Sequence, residues 1–185
     1  MKRLAWIFML ALTSSCAIAD ETRPMTVAEE ARALIGIEYT PRLTGDQITD
    51  RLTCTDEGGG LLDNDGMWSH GLAKCQGRWI VILLHAVGKV DVHTTWHITD
   101  TLLLPPVEVL WSSERSNALY LSSAEEGACE VRGRPNTYFI ALTRWGKRDR
   151  IDWRTGVERA WTFDIKHGHI VPLSTKGIVC ESIEP

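Results

Sequence analysis

Arg78 to Leu104 reads RWIVILLHAVGKVDVHTTWHITDTLLL, and its periodicity decides the fold class. Trp79 to Leu84 is a run of six apolar residues rich in β-branched types, which favours a strand. Gly88 and Lys89 interrupt the run. From Val90 the chain alternates, with Val90, Val92, Thr94, Trp96 and Ile98 on one face and Asp91, His93, Thr95, His97 and Thr99 on the other. A period of two predicts a strand with one buried and one wet face. The stretch therefore predicts a long β-hairpin, closed by Pro105-Pro106, which cannot continue a central strand.

Downstream of the hairpin, strand signals dominate. Val107 to Trp111 and Ala118 to Ser122 are short strand candidates, separated by a polar loop from Ser112 to Asn117. Ala124 to Gly127 reads as a turn. Thr137 to Trp145, TYFIALTRW, predicts a central strand by β-propensity. Glu158 to Ile165 alternates, Lys166-His167-Gly168-His169 predicts a hairpin turn, and Ile170 to Leu173 returns. Gly177 to Ile183 closes the chain as a strand holding Cys180.

Upstream, Thr26 with Glu29 three residues later forms a capping-box signature. Val27, Ala28, Ala31, Leu34 and Ile35 then fall near one helical face, and Gly36 ends the helix. Thr44 to Gln47 predicts the start of a second short helix running to Cys54. Asp56 to His70, DEGGGLLDNDGMWSH, reads as a loop because of its three glycines and its Asp-Asn-Asp-Gly cluster. That cluster misses the calcium-loop pattern, since Trp68 stands where the loop needs glycine and Lys74 where it needs glutamate. The expected fold class is α+β: an N-terminal helical segment packed on an antiparallel, hairpin-built β-sheet of about six or seven strands, stapled by disulfides.

Residues 1–19 read as a signal peptide. Met1-Lys2-Arg3 is basic, Leu4 to Leu12 is apolar, and Ala17-Ile18-Ala19 is a cleavage pattern. The apolar run is far short of the ~20 residues that span a bilayer, so no transmembrane segment is expected. Ser14-Ser15-Cys16 also reads as a lipobox, which would make Cys16 a lipid anchor, although Thr13 stands where leucine is usual. Residues 20–185 form one expected exported α+β domain, periplasmic or secreted. Removing Lys2 and Arg3 takes the formal charge from −4 to −6.

Four cysteines then remain: Cys54, Cys75, Cys129 and Cys180. An even count in an exported chain predicts two disulfides. Three connectivities fit; the expected one is Cys54–Cys75 with Cys129–Cys180. The spacings match neither a zinc ribbon nor a redox C-x-x-C motif, and no cofactor or metal is expected.

Charge is uneven along the chain. Asp20 to Gly66 carries 11 acids and 4 bases, whereas Val131 to Ala160 carries 8 bases and 3 acids. Within the basic region, Trp145 and Trp153 stand among Arg144, Lys147, Arg148, Arg150 and Arg154. Such a loop suits a protein partner or an anionic envelope component. An arginine stacked on a structural tryptophan would explain the same residues. Nucleic acid does not suit an exported protein of this net charge. Asp91 and His93 are the weak catalytic candidates, as an acid-base pair on the wet face of the hairpin. His93 and His97 lie ~13 Å apart along one strand, too far to share a metal ion. No G-x-S-x-G, H-E-x-x-H or P-loop pattern occurs. The sequence reading is thus a non-enzymatic binding or inhibitory domain. The alternatives are a small periplasmic hydrolase using Asp91 and His93, or a structural lipoprotein of the cell envelope.

Overall fold

Thr26 opens the first element. Its hydroxyl accepts from the Glu29 N–H at 3.3 Å, and its own N–H donates to Glu29 Oε2 at 2.8 Å, completing the capping box. These bonds, the Thr26 N–H first among them, hold the Glu29 carboxyl down at about 2. Helix α1 (Val27–Ala33) is only seven residues long. Gly36, at φ +90°, turns the chain so that its N–H reaches the Ile98 carbonyl at 2.9 Å.

The structure, a computed structural model, describes residues 23–107, 119–123, 129–134 and 137–181. The signal segment, Cys16, most of the Val107–Trp111 strand candidate, the 112–117 loop and the 124–127 turn lie outside the described residues. Twelve strands follow the helix among the described residues: β1 (Glu38–Tyr39), β2 (Thr55–Leu61), β3 (Trp68–Cys75), β4 (Arg78–Val90), β5 (His93–Leu103), β6 (Tyr120–Ser123), β7 (Cys129–Val131), β8 (Phe139–Thr143), β9 (Arg150–Asp152), β10 (Val157–Asp164), β11 (His169–Leu173) and β12 (Ile178–Glu181). They form three antiparallel sheets, ordered β1-β5-β4-β3-β2, β11-β10-β8-β6 and β7-β12-β9.

This corrects the expected α+β class. The protein is mostly β, with three sheets rather than one sheet under a helical segment. Two local segments account for much of the difference. The Asp56–His70 loop is instead β2, a turn and the start of β3. Gly59 within it serves close strand contact, since a Cβ there would overlap the His70 carbonyl oxygen, and a Cβ on Gly71, just after it, would meet Ile82 Cγ1 at 3.0 Å. The turn between the strands is closed by the Asp63 carboxylate, which accepts from the Met67 and Trp68 N–H groups at 2.9 and 3.2 Å. The second helix is absent because Asp46 takes the Arg42 and Leu43 N–H groups at 3.0 and 2.9 Å, a local bond that competes with helix formation. Gln47 instead bridges to Thr55.

The sheets stack in layers. In β8, Phe139 and Ala141 share a buried cluster with Cys129, Val131, Ile151, Ile178 and Cys180 of the third sheet. The alternate residues Ile140 and Leu142 share another with Val81 of β4 and with Leu104, the residue after β5. The second sheet is thus covered on both faces, which is why the expected central strand has five buried residues in a row. The far face of the first sheet packs Ile80, Ile82, Leu84 and Ile98 against Ala31 and Leu34 of the helical segment and against Ile48 and Leu52. Both expected disulfides form, Cys54–Cys75 joining the residue before β2 to the last residue of β3 and Cys129–Cys180 across the β7–β12 ladder.

The hairpin is present, but its turn is shifted. Gly88 and Lys89 lie inside β4; Asp91 and Val92 make the turn, with Asp91 at φ +56° and Val90 paired with His93. Aspartate is among the residues that tolerate this left-handed conformation. Val90 and Val92, expected in the core, are 48% and 86% exposed at the tip.

Candidate functional site

The basic region resolves into structural and free cations. Arg144 Nε lies 2.8 Å from Glu158 Oε1, and Arg150 Nη1 lies 2.7 Å from Glu181 Oε1. Arg148 donates to the Thr155 carbonyl at 3.0 Å. Trp145 is 6% exposed and belongs to the core between the second and third sheets. Lys147 and Arg154 are exposed. The Arg154 guanidinium lies 4.6 Å from the centre of the Trp153 ring, an arginine-on-tryptophan stack.

The turn between β9 and β10 is built to hold that stack. Asp152 accepts from the Arg154 N–H at 2.9 Å and from the Thr155 hydroxyl at 3.0 Å. These bonds, the Arg154 N–H first, hold its carboxyl below the usual range. Gly156 seats the turn against the preceding segment, since a Cβ there would meet the Arg144 carbonyl oxygen at 2.6 Å and Ile151 at 2.9 Å.

Topology adds cations that the sequence did not group. The Trp153 N–H donates to the Ile178 carbonyl at 3.1 Å, and the Arg132 N–H donates to the Gly177 carbonyl at 3.0 Å. The ends of β7 and β9 and the start of β12 therefore meet at one end of the third sheet. Arg132, Arg134, Arg154 and Lys176 are all exposed at or next to these strand ends, and Trp153 at the same end is half-buried. Among the described residues none of the four is ion-paired. The excess of bases in Val131 to Ala160 already signalled Arg132 and Arg134; Lys176 joins them only through the β7–β12–β9 pairing.

A second concentration of chemistry lies on the first sheet. Four residues stand in register across four strands: Trp68 opposite His85, His85 opposite His97, and His97 opposite Glu38. Directly paired residues project from the same face. Trp68 and His85 have ring centroids 4.6 Å apart, and His97 Nδ1 lies 3.8 Å from Glu38 Oε1. Nearby, His169 Nδ1 is 3.6 Å from Asp100 Oδ2, and Asp164 receives His167 at 2.8 Å. That contact with His167 is the first cause of a lowered Asp164 carboxyl. His70 lies deeper, against Phe163 at 5.2 Å, where burial pushes its imidazole down to about 4.

Asp91 and His93 occupy the hairpin tip. Asp91 is an exposed turn residue, and half-buried His93 begins β5. The single-strand alternation that set them on one face therefore does not describe them. A buried acid with a shifted carboxyl lies elsewhere: burial raises the Asp56 carboxyl, and Tyr39 beside it is raised as well, by burial first and then by the Asp56 charge. Gly58 N–H donates to Asp56 Oδ1 at 2.9 Å within β2, and the side-chain hydrogen bond from Tyr39 to Asp56 ties β1 to β2.

In comparisons with known proteins, the chain matches no family model, no curated protein and no solved structure. Fold and site together define a disulfide-stapled, three-sheet antiparallel β protein with a cationic strand-end surface. Among the described residues no helix is long and apolar enough to cross a membrane.

Proposed function

We propose that the protein is an exported, non-enzymatic binding or inhibitory domain that engages an anionic partner through the cationic end of its third sheet. The observation that carries this reading is that the strand pairing brings Arg132, Arg134, Arg154 and Lys176, from three separate chain segments, to the end of the third sheet that carries Trp153. Exposed cations, one of them stacked on an aromatic ring, suit carboxylate or phosphate groups on a protein or envelope polymer. The surrounding net negative charge favours a localised rather than diffuse attraction. Export is supported by the signal-like first 19 residues and by the two disulfides, which persist in oxidising compartments.

The test is affinity capture from a cell-envelope extract, comparing the native chain with a variant carrying R132E, R134E, R154E and K176E. The native chain should retain a partner that salt elutes, and the variant should not. Equal capture by both would remove the cationic surface from the account.

A further inference from the structure

We propose that His85, His97 and Glu38 form a binding site for one divalent transition-metal ion of the zinc or copper kind. Two imidazoles and a carboxylate are a donor set that such ions accept, with water completing the coordination. The sequence offered no such set, because His93 and His97 on one strand are too far apart. Cross-strand pairing supplies it.

His85 and His97 are directly opposed on β4 and β5, where paired side chains start about 5 Å apart at Cβ. Glu38 pairs with His97 from the other side. A tetrahedral ion with bonds of ~2.0–2.1 Å needs its ligand atoms about 3.3 Å from one another. His97 Nδ1 and Glu38 Oε1, at 3.8 Å, already approach this separation. His85 must swing toward them, since the three ligand atoms are not yet gathered within one coordination sphere. Among the described residues the one gathered set is Glu30 with Cys54 and Cys75, whose sulfurs are joined in the disulfide.

The site is open to solvent. The His97 side chain is 35% exposed and that of Glu38 is 60% exposed, so an ion can enter and keep a water ligand. Trp68 lies against His85 from the β3 side, a ring contact that His85 gives up when it turns toward His97. The register places His97 at the centre of the site, with His85 and Glu38 as flanking ligands.

Isothermal titration of the tag-free chain with zinc chloride tests the assignment. One ion per chain should bind, and zinc should raise the thermal midpoint. H85A and H97A should each weaken binding by about tenfold or more, as even outer-shell losses do at such sites. E38Q should weaken it less. H167A combined with H169A, at the neighbouring turn, should leave it unchanged. Thermal melts without zinc confirm that each variant folds. Absence of saturable binding, binding that survives the H85A/H97A pair, or binding lost with the turn histidines would overturn the proposal.

Discussion

Trp153 donates its backbone N–H to the Ile178 carbonyl at 3.1 Å, and this bond moors the β9–β10 turn to the first residue of β12. The same strand end receives Arg132 through the Gly177 carbonyl. A cationic surface is thus assembled by β-pairing between segments remote in sequence. The predictions below separate the residues that build this surface from those that act on it.

Trp145 and Trp153 should behave oppositely. Trp145 is core, so W145A should cost about 3–5 kcal/mol in a urea melt. Trp153 is half-buried under Arg154, so W153A should cost about 1 kcal/mol or less while weakening partner capture. Equal stability losses would show that Trp153 is core as well.

Gly156→Ala should destabilise the protein by about 1–3 kcal/mol, because the added methyl meets backbone and the Ile151 side chain rather than a flexible terminus. It should also displace Trp153 and Arg154, seen as a shift in the backbone amide resonances of the turn. An unchanged melt would mean that the close approach to Arg144 is not maintained in solution.

Reduction should unequally weaken the two halves. The Cys129–Cys180 bridge closes a separation of 51 residues and Cys54–Cys75 one of 21. Chain entropy then gives about 4 kcal/mol for the first and about 3.4 for the second. Denaturant melts of C129A/C180A and C54A/C75A compare them; a greater loss from the shorter loop would mean that packing around Glu30 outweighs chain entropy.

Acid should destabilise the fold through His70. Burial lowers its imidazole to about 4, against about 6.5 when unfolded. Below about pH 6.5 the unfolded chain binds the proton that the folded chain refuses. Stability is therefore full above that pH and falls as pH drops toward 4, by about 3 kcal/mol in all. Urea midpoints at pH 7 and pH 4.5 measure the fall, and H70N should flatten it. An identical slope in H70N would assign the acid sensitivity to other groups.

Much of the framework was legible in residues 78–104, in the Thr26–Glu29 capping box and in the four cysteines, because each is a local pattern with a short-range physical cause. The three-layer arrangement was not. Strands such as β7 and β9 are only three residues long and carry no readable period. Gly58-Gly59-Gly60 signals a loop in most contexts, yet here it lets β2 approach β3 closely. The histidine row was hidden for a more specific reason. Leu83 pairs with Asp100 but Leu84 with Ile98, so Thr99 is an extra residue in β5. Without that bulge His85 would face Ile98, and His97 would project from the opposite face. Bulge placement depends on tertiary packing, to which alternation along one strand is blind. In sequence the basic loop is one continuous cationic stretch, whereas in the fold Glu158 and Glu181 occupy two of its arginines and burial removes Trp145.

The most direct measurement is retention of the purified chain on immobilised heparin, a polyanion, at pH 7.5. The whole sequence carries a formal charge of −4, so retention requires a localised cationic surface. The native chain should bind at low salt and elute with added sodium chloride, and the variant carrying R132E, R134E, R154E and K176E should pass straight through. A native chain that flows through at low salt, or four charge reversals that leave the elution position unchanged, would contradict the account.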